Sequence, residues 1–393
     1  MGMIQVRVKP GVEEKLKAYF PWVYRPEIVS YSRKPQKGEQ VIVRDAGGHF
    51  LGYGYINPQV SISIRLLSFN KDKKISQQLI KERIQQAYNY RKKLSLDTDA
   101  YRLVHSEGDF LPGLVVDIYD QYVVLEFTTF GMNLMRDWVI PAIIDTLKPQ
   151  GIYEKRNDYA QSIEGFETQE GVIYGEMPKE VIIREGDLRY YVNIPEGQKT
   201  GFYLDQRYAR SIVRQLVKPG QTCLDLFCHT GGFALNMRKA GAQKVIAVDI
   251  SSQALEFGKR NAKLNGIDGI EWIEANAFDF MRKLHAEGQT FDFVLMDPPS
   301  FAKNKASLPN ALRGYKELLV RGLHITKRGG ILVVYSCSFH ITLDHLFQVL
   351  IDAAKDVKRH IRVLKVSFQD LDHPWILQVP NSLYLKGVYV EVL

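Results

Sequence analysis

Apolar and polar residues alternate at the start of the chain, where polar positions separate Ile4, Val6 and Val8. That period of two predicts a half-buried strand. Further short strand patterns follow at Gln40–Val43, Phe50–Ile56 and Ile62–Leu67, with a turn at Gly47-Gly48. Strands this short, punctuated by Gly and Pro, predict a small β-barrel or sandwich over residues 1–70. Between Lys71 and Lys93 the period changes. Ile75, Leu79, Ile84, Ala87 and Tyr88 recur near helical spacing among Lys, Arg and Gln, which predicts an amphipathic connecting helix. Strand patterns return at Tyr101–Val104, Leu114–Ile118 and Tyr122–Phe127, and a helix is expected over Met132–Leu147. Residues 71–190 thus read as a linker helix and a small central α+β domain.

From about residue 190 the pattern is regular α/β alternation. Strands are expected at Thr222–Phe227, Lys244–Asp249, Ile270–Glu274, Phe291–Asp297 and Ile331–Ser336. Helices are expected at Ala234–Ala240, Ser252–Asn265, Phe278–Ala286 and Leu308–Thr326. This predicts a doubly wound parallel sheet over residues 191–393, whose ligands bind beyond the strand C-termini. Two last strands, Ile361–Phe368 and Leu383–Val392, have no clear helix between them and predict an antiparallel hairpin at one edge.

Composition narrows the class. With 393 residues, 45% hydrophobic and 24% charged, the chain can bury real cores, which excludes global disorder. No apolar run reaches the ~18 residues of a membrane span. No apolar stretch follows Arg7 and Lys9, so a signal peptide is not expected and a cytoplasmic location is. Three cysteines, Cys223, Cys228 and Cys337, argue against a disulfide framework. The net charge of +8 suits a polyanionic partner.

Candidate chemistry gathers at the strand ends. The first strand closes in Asp225, and Cys228, Thr230 and Gly231 lie in the turn that opens the next helix. Glycine lets a backbone approach a ligand, and a helix N-terminus offers free N–H groups. The dinucleotide pattern G-x-G-x-x-G is absent. Asp249 ends the second strand, where a carboxylate can hold a ribose diol. Asn276 follows the third, placed to meet an adenine edge. Asp297 closes the fourth, and Pro298-Pro299 fix a rigid exit behind it. Lys303 and Lys305 in the next loop either meet phosphate or are simply solvated. Cys337 follows the fifth strand, as a nucleophile or as a small buried hydrophobe. No zinc spacing occurs, and no metal is expected.

Asp225 to Phe233, Asp249, Asn276 and Asp297-Pro298-Pro299 resemble the class I S-adenosylmethionine-dependent methyltransferases. The segment Gln198-Lys199-Thr200-Gly201-Phe202-Tyr203-Leu204-Asp205-Gln206-Arg207 is more specific and resembles the RlmI-like ribosomal RNA methyltransferases. The resemblance covers the whole chain. Lys9-Pro10-Gly11, Pro21 to Tyr24 and Leu51 to Tyr55 look like that family's PUA domain, an RNA-binding β-barrel. It implies an α/β fold with a Rossmann-like methyltransferase sheet, S-adenosylmethionine (SAM) as cofactor and large-subunit ribosomal RNA as partner. It adds Thr200 and Arg207 to the expected cofactor residues. Lys9 and Arg25 join Lys303 and Lys305 as expected RNA contacts. A homodimer stays open, and no membrane partner is expected.

In family members that make 5-methylcytosine, a Cys after the fifth strand is the nucleophile, which Cys337 matches. Cys337 would then add to C6 of a cytosine while Asp297, protonated, hydrogen-bonds N3. Two departures stand out. Glycine-rich relatives carry Gly where this chain has His229, and many RNA cytosine-5 methyltransferases carry a Cys beside the Asp297 motif, where this chain has Pro298. The alternatives are guanine methylation on the same scaffold and a non-catalytic RNA-binding assembly factor.

Overall fold

The opening alternation becomes a strand, Ile4–Val8, whose Ile4, Val6 and Val8 are buried and whose Gln5 and Arg7 are exposed. A computed structural model describes residues 2–302 and 304–393. The chain divides into two units: residues up to Gly186 with Val192–Leu204 and Leu371–Ser382, and Asp187–Tyr191 with Asp205–Asp370 and Leu383–Leu393. Among the described residues no helix is long and apolar enough to cross a membrane.

In the first unit, six strands form one sheet in the order Trp22–Tyr24, Ile62–Ser68, Phe50–Ile56, Gln40–Arg44, Ile4–Val8, Ile28–Tyr31. Its two edge strands are joined by only Arg25–Glu27. Four Cα steps from Tyr24 to Ile28 reach ~15 Å at most. The edges of a flat six-stranded sheet would lie ~24 Å apart. The sheet must therefore curl towards a barrel, which removes the sandwich alternative. Gly54 lies where it does because a Cβ there would come 2.4 Å from the Arg65 carbonyl oxygen.

A second sheet of five strands runs Gly171–Gly175, Gly151–Glu154, Tyr122–Phe127, Leu114–Tyr119, Ala100–His105. Tyr53, Tyr55 and Leu67 of the first sheet share one core with Leu103, Val116, Leu125 and Phe127 of the second. The connecting helix begins at Gln77, later than Lys71, because the Ser76 side chain accepts the Leu79 N–H and caps it there. The helix expected over Met132–Leu147 is instead two, Phe130–Asn133 and Arg136–Leu147.

The second unit holds a seven-stranded sheet: β1 (Thr222–Leu226), β2 (Lys244–Asp249), β3 (Ile270–Glu274), β4 (Phe291–Met296), β5 (Thr326–Ser336), β6 (Ile361–Phe368) and β7 (Lys386–Val392). Their order is β3-β2-β1-β4-β5-β7-β6. The first five are parallel, and β7 inserts antiparallel between β5 and β6. The sheet is apolar on both faces, as helix-covered parallel strands require. Leu224, Val294 and Leu332 pack into one core, and Cys223, Phe293 and Val333 into the other. Strand order reverses between β1 and β4, so the crevice for a ligand opens at their C-terminal ends, where Asp225 is next to last in β1 and Asp297 follows β4.

Candidate active site

Asp225 is fully buried at the end of β1. Neither oxygen of its carboxyl completes a hydrogen bond, although the Ala234 N–H lies near enough to favour the charged form. Burial pushes its pKa well above the usual carboxylate range, and the charges of Asp297 and Asp249 push the same way. A buried acid kept this way suits a ligand that brings a cationic donor.

The turn after β1 is tightly wound. Phe227, His229 and Gly231 have φ of 63°, 47° and 81°. His229 thus occupies the left-handed conformation that glycine adopts freely, which gives a physical meaning to the Gly of relatives. At Gly231 a Cβ would come 2.5 Å from the Trp272 ring. Gly231 caps the helix Gly232–Lys239 without any side-chain bond to its first N–H groups. Cys228 is buried, and burial holds its thiol well above the ordinary range, so it is an inert sulfur in the turn. The Thr230 carbonyl accepts the Asn261 side-chain amide at 3.1 Å.

Asp249 at the end of β2 accepts the His229 N–H at 2.8 Å and the Ser251 N–H at 2.9 Å, one on each oxygen. These bonds orient the carboxylate and leave further lone pairs for hydroxyl donors. Asn276 is exposed, and its Oδ1 caps the helix Ala277–Ala286 by accepting from Phe278 N at 3.0 Å. Its Nδ2 is the atom that remains to donate to a base.

Asp297 is the first residue past β4 rather than its last. Gln206 Nε2, itself buried, donates to Asp297 Oδ2 at 3.0 Å. Cys337 follows β5 and is the one partly exposed cysteine among the three. Its loop is tied down by Ser338 Oγ, which donates to the Ala302 carbonyl at 2.9 Å, and by Lys386 Nζ, which donates to the Ser338 carbonyl at 2.8 Å. The Ser338–Ala302 bond joins the loop after β4 to the loop after β5. Tyr315 lies within electrostatic reach of both Asp297 and Cys337. Acid and thiol therefore share one end of one sheet.

The signature segment divides. Thr200 is buried in the first unit, where its hydroxyl donates to Asp117 and lies 2.9 Å from the Tyr119 hydroxyl. Arg207 is in the second unit, its Nε 2.8 Å from Asp370 Oδ2. Lys9 and Arg25 are both exposed on the first sheet's loops. Lys305 is exposed in the turn Lys305–Ser307, and Lys303 lies outside the described residues. Among the described residues no group of His, Cys, Asp or Glu could hold a metal ion. Gln206 and Lys386 were not among the expected site residues. A lysine inside the apolar run Leu385 to Val388 was the available signal for the second.

These residues fit SAM. The unsatisfied Asp225 carboxyl suits its amino group, Gly231 gives the backbone close approach, Asp249 suits the ribose hydroxyls and Asn276 Nδ2 the adenine.

Residues 6–69 match the PUA-like domain family, and residues 168–372 match the S-adenosylmethionine-dependent methyltransferase family. A ribosomal RNA large subunit methyltransferase I from Alteromonas mediterranea is 35% identical over 392 residues, 99% of this chain and 98% of its own. The protein of the same name from Shewanella denitrificans is 36% identical over 395 residues, 99% of each chain. The fold matches that of SMU.776, solved in complex with SAH, with a TM-score of 0.87 at 24% identity over 99% of this chain and 100% of that one. A SAM-dependent methyltransferase from Streptococcus mutans superposes with a TM-score of 0.86 at 23% identity, covering 99% and 100%.

Proposed function

This chain belongs to the family of SAM-dependent ribosomal RNA large subunit methyltransferases, and we propose that its target is C5 of a cytosine, attacked with Cys337 as nucleophile. The observation that carries the proposal is the pairing of a partly exposed thiol with an acid at one sheet end, their loops joined by the Ser338–Ala302 bond. C5 of cytosine is a poor nucleophile. The Cys337 thiolate adds to C6, forming an S–C6 bond and placing the displaced electron pair on C5 and the ring. Asp297, protonated, hydrogen-bonds N3 and stabilises that charge. Gln206 Nε2, donating to Oδ2, would hold the acid in place for that contact.

When bound, SAM supplies an electrophilic methyl group. Asp225, Gly231, Asp249 and Asn276 would hold it. C5 would form the new C–CH3 bond as the methyl–sulfonium bond breaks and its electron pair stays on sulfur; a base would take the C5 proton, and the thiolate would leave C6 as the double bond returns. To reach the thiol the target must leave any stack, at a cost of a few kcal/mol. Lys9 and Arg25 on the barrel, with Lys303 and Lys305, would offset it through phosphate contacts. The site of action would be the cytoplasm.

Nucleoside mass spectrometry of ribosomal RNA after incubation with protein and SAM is the direct test. The expected product is 5-methylcytidine, abolished by Cys337→Ala with SAM binding kept. RNA carrying 5-fluorocytosine should trap a denaturation-resistant adduct with wild type and none with Cys337→Ala. A methylguanosine product would overturn the cytosine assignment.

A further inference from the structure

Lys386 is out of place as packing. It starts β7 and is only 3% exposed. Burying an ammonium is costly, and an apolar residue would fill the position at less expense. Its register partners are Ser336 in β5 and Phe368 in β6. Its Nζ donates to the Ser338 carbonyl at 2.8 Å. Lys386 is thus paired in register with the residue before Cys337, and its ammonium is bonded to the residue after it. No carboxylate forms an ion pair with it among the described residues. A thiolate at Cys337 would favour its protonated form.

We propose that Lys386 is a positioning residue for Cys337, pinning the loop that carries the sulfur and holding the sulfur as thiolate. The inference rests on the reading of Cys337 as nucleophile. Attraction between ammonium and thiolate is reciprocal: whatever Cys337 does to protonate Lys386, Lys386 does to deprotonate Cys337. Other groups bear on the same sulfur. Tyr315, from the helix Leu308–Ile325, donates its hydroxyl to the Tyr335 carbonyl at 3.1 Å. Burial holds it well above its usual range, so it is neutral while the thiol titrates. Asp297, past β4, opposes the thiolate whenever it is ionised and is silent when protonated. Lys386 is the cation that the structure bonds to the loop. Burial brings its own pKa down to about 8. The ammonium is complete below that pH and is lost as pH rises through it, so its help to the thiolate is present at neutral pH and fades in alkali.

The test is alkylation of the full chain by iodoacetamide from about pH 6 to about pH 10, read by peptide mass spectrometry so that Cys337 is separated from Cys223 and Cys228. Wild-type Cys337 should titrate below the ~8.5 of an ordinary thiol. Lys386→Met should move the midpoint up by about one unit, slowing alkylation roughly tenfold at neutral pH, and Lys386→Arg should restore most of it. A wild-type midpoint at or above that of an ordinary thiol overturns the proposal without any variant. Equal midpoints in wild type and Lys386→Met overturn it as well. No RNA or turnover enters this measurement. Full activity in Cys337→Ala would therefore sink the nucleophile while leaving the thiol–lysine coupling readable.

Discussion

Gln206 donates its side-chain amide to Asp297 Oδ2 at 3.0 Å, across 91 residues of sequence. The bond ties the acid that follows the fourth strand to the segment before the helix Arg207–Leu216. Gln206→Leu removes it with little change of volume. A hydrogen bond of this kind contributes about 0.5–1.5 kcal/mol, so methyl transfer should slow by roughly three- to tenfold. SAM affinity should stay within about twofold, since Gln206 acts through the acid. Single-turnover rates with calorimetry separate the two, and an unchanged rate would remove Gln206 from the site.

Asp225→Asn should stabilise the protein without SAM at neutral pH. The sign follows from linkage. The folded-state pKa is raised, so between the unfolded value and the folded one the native state holds more protons, and stability falls as pH rises through that window. The amide cannot ionise, and the fall disappears. Melting curves from acid to neutral pH should show a flatter profile and a higher Tm at neutral pH for the variant. Each 1 kcal/mol gained is worth ~2–4 °C at most in a chain of this size. The same variant should bind SAM more weakly. A steeper profile than wild type would contradict the buried-acid account.

The strand ends were legible in the sequence because a buried parallel strand is an apolar run, and a carboxylate that closes it is conspicuous. Asp225, Asp249 and Asp297 were found that way, as was Cys337 after β5. The partners that tune them were not. Gln206 meets Asp297, and Lys386 meets Ser338 48 residues away, only once the sheet is assembled. Strand order is equally silent in the pattern: the terminal pair is antiparallel as expected, yet β7 lies inside and β6 at the edge. The helix Val12–Lys17 spans six residues, too few for a helical period to show. The Leu134–Met135 break between two helices leaves the apolar pattern intact.

Asp249→Ala should weaken SAM binding. Two hydroxyl bonds to a carboxylate are lost, each worth ~1.5–3 kcal/mol before water replaces part of it. A fall of roughly ten- to a hundredfold in affinity is expected by calorimetry. The variant also strips the His229 and Ser251 N–H groups of their acceptor, so circular dichroism must show the fold kept. Wild-type affinity in a folded variant would remove Asp249 from the cofactor site.

RNA anchoring by the barrel is best tested by charge and not by deletion. Tyr53, Tyr55 and Leu67 belong to a core shared with the second sheet, and removing residues 1–70 would expose it. Lys9→Glu with Arg25→Glu changes only exposed side chains. RNA affinity should fall, and the slope of log K against log salt should flatten by about 0.7–0.9 for each phosphate that is no longer neutralised. SAM affinity should not move. Filter binding over a salt series gives both numbers, and an unchanged slope would place the RNA elsewhere.

Thr200 has two candidate roles, one expected from the sequence and one from its contacts in the structure. Its place in the signature segment leads one to expect a cofactor ligand. In the first unit, however, its hydroxyl donates to Asp117 and lies beside Tyr119, whose own hydroxyl accepts the Phe202 N–H at 3.1 Å. Asp117 is also paired with Arg102 through both oxygens, at 2.7 and 2.8 Å. Thr200→Val keeps the shape and deletes the donor. The Arg102 pair would still compensate the buried carboxylate, so the loss should be that of one bond to a charged group, about 1.5–3 kcal/mol. If the hydroxyl is structural, thermal melting shows that loss and calorimetry gives a SAM affinity within about twofold of wild type. If it binds cofactor, the affinity drops while the melt without SAM hardly moves. The bonds to Asp117 and Tyr119 use the hydroxyl's hydrogen and one of its lone pairs, so we expect the first result.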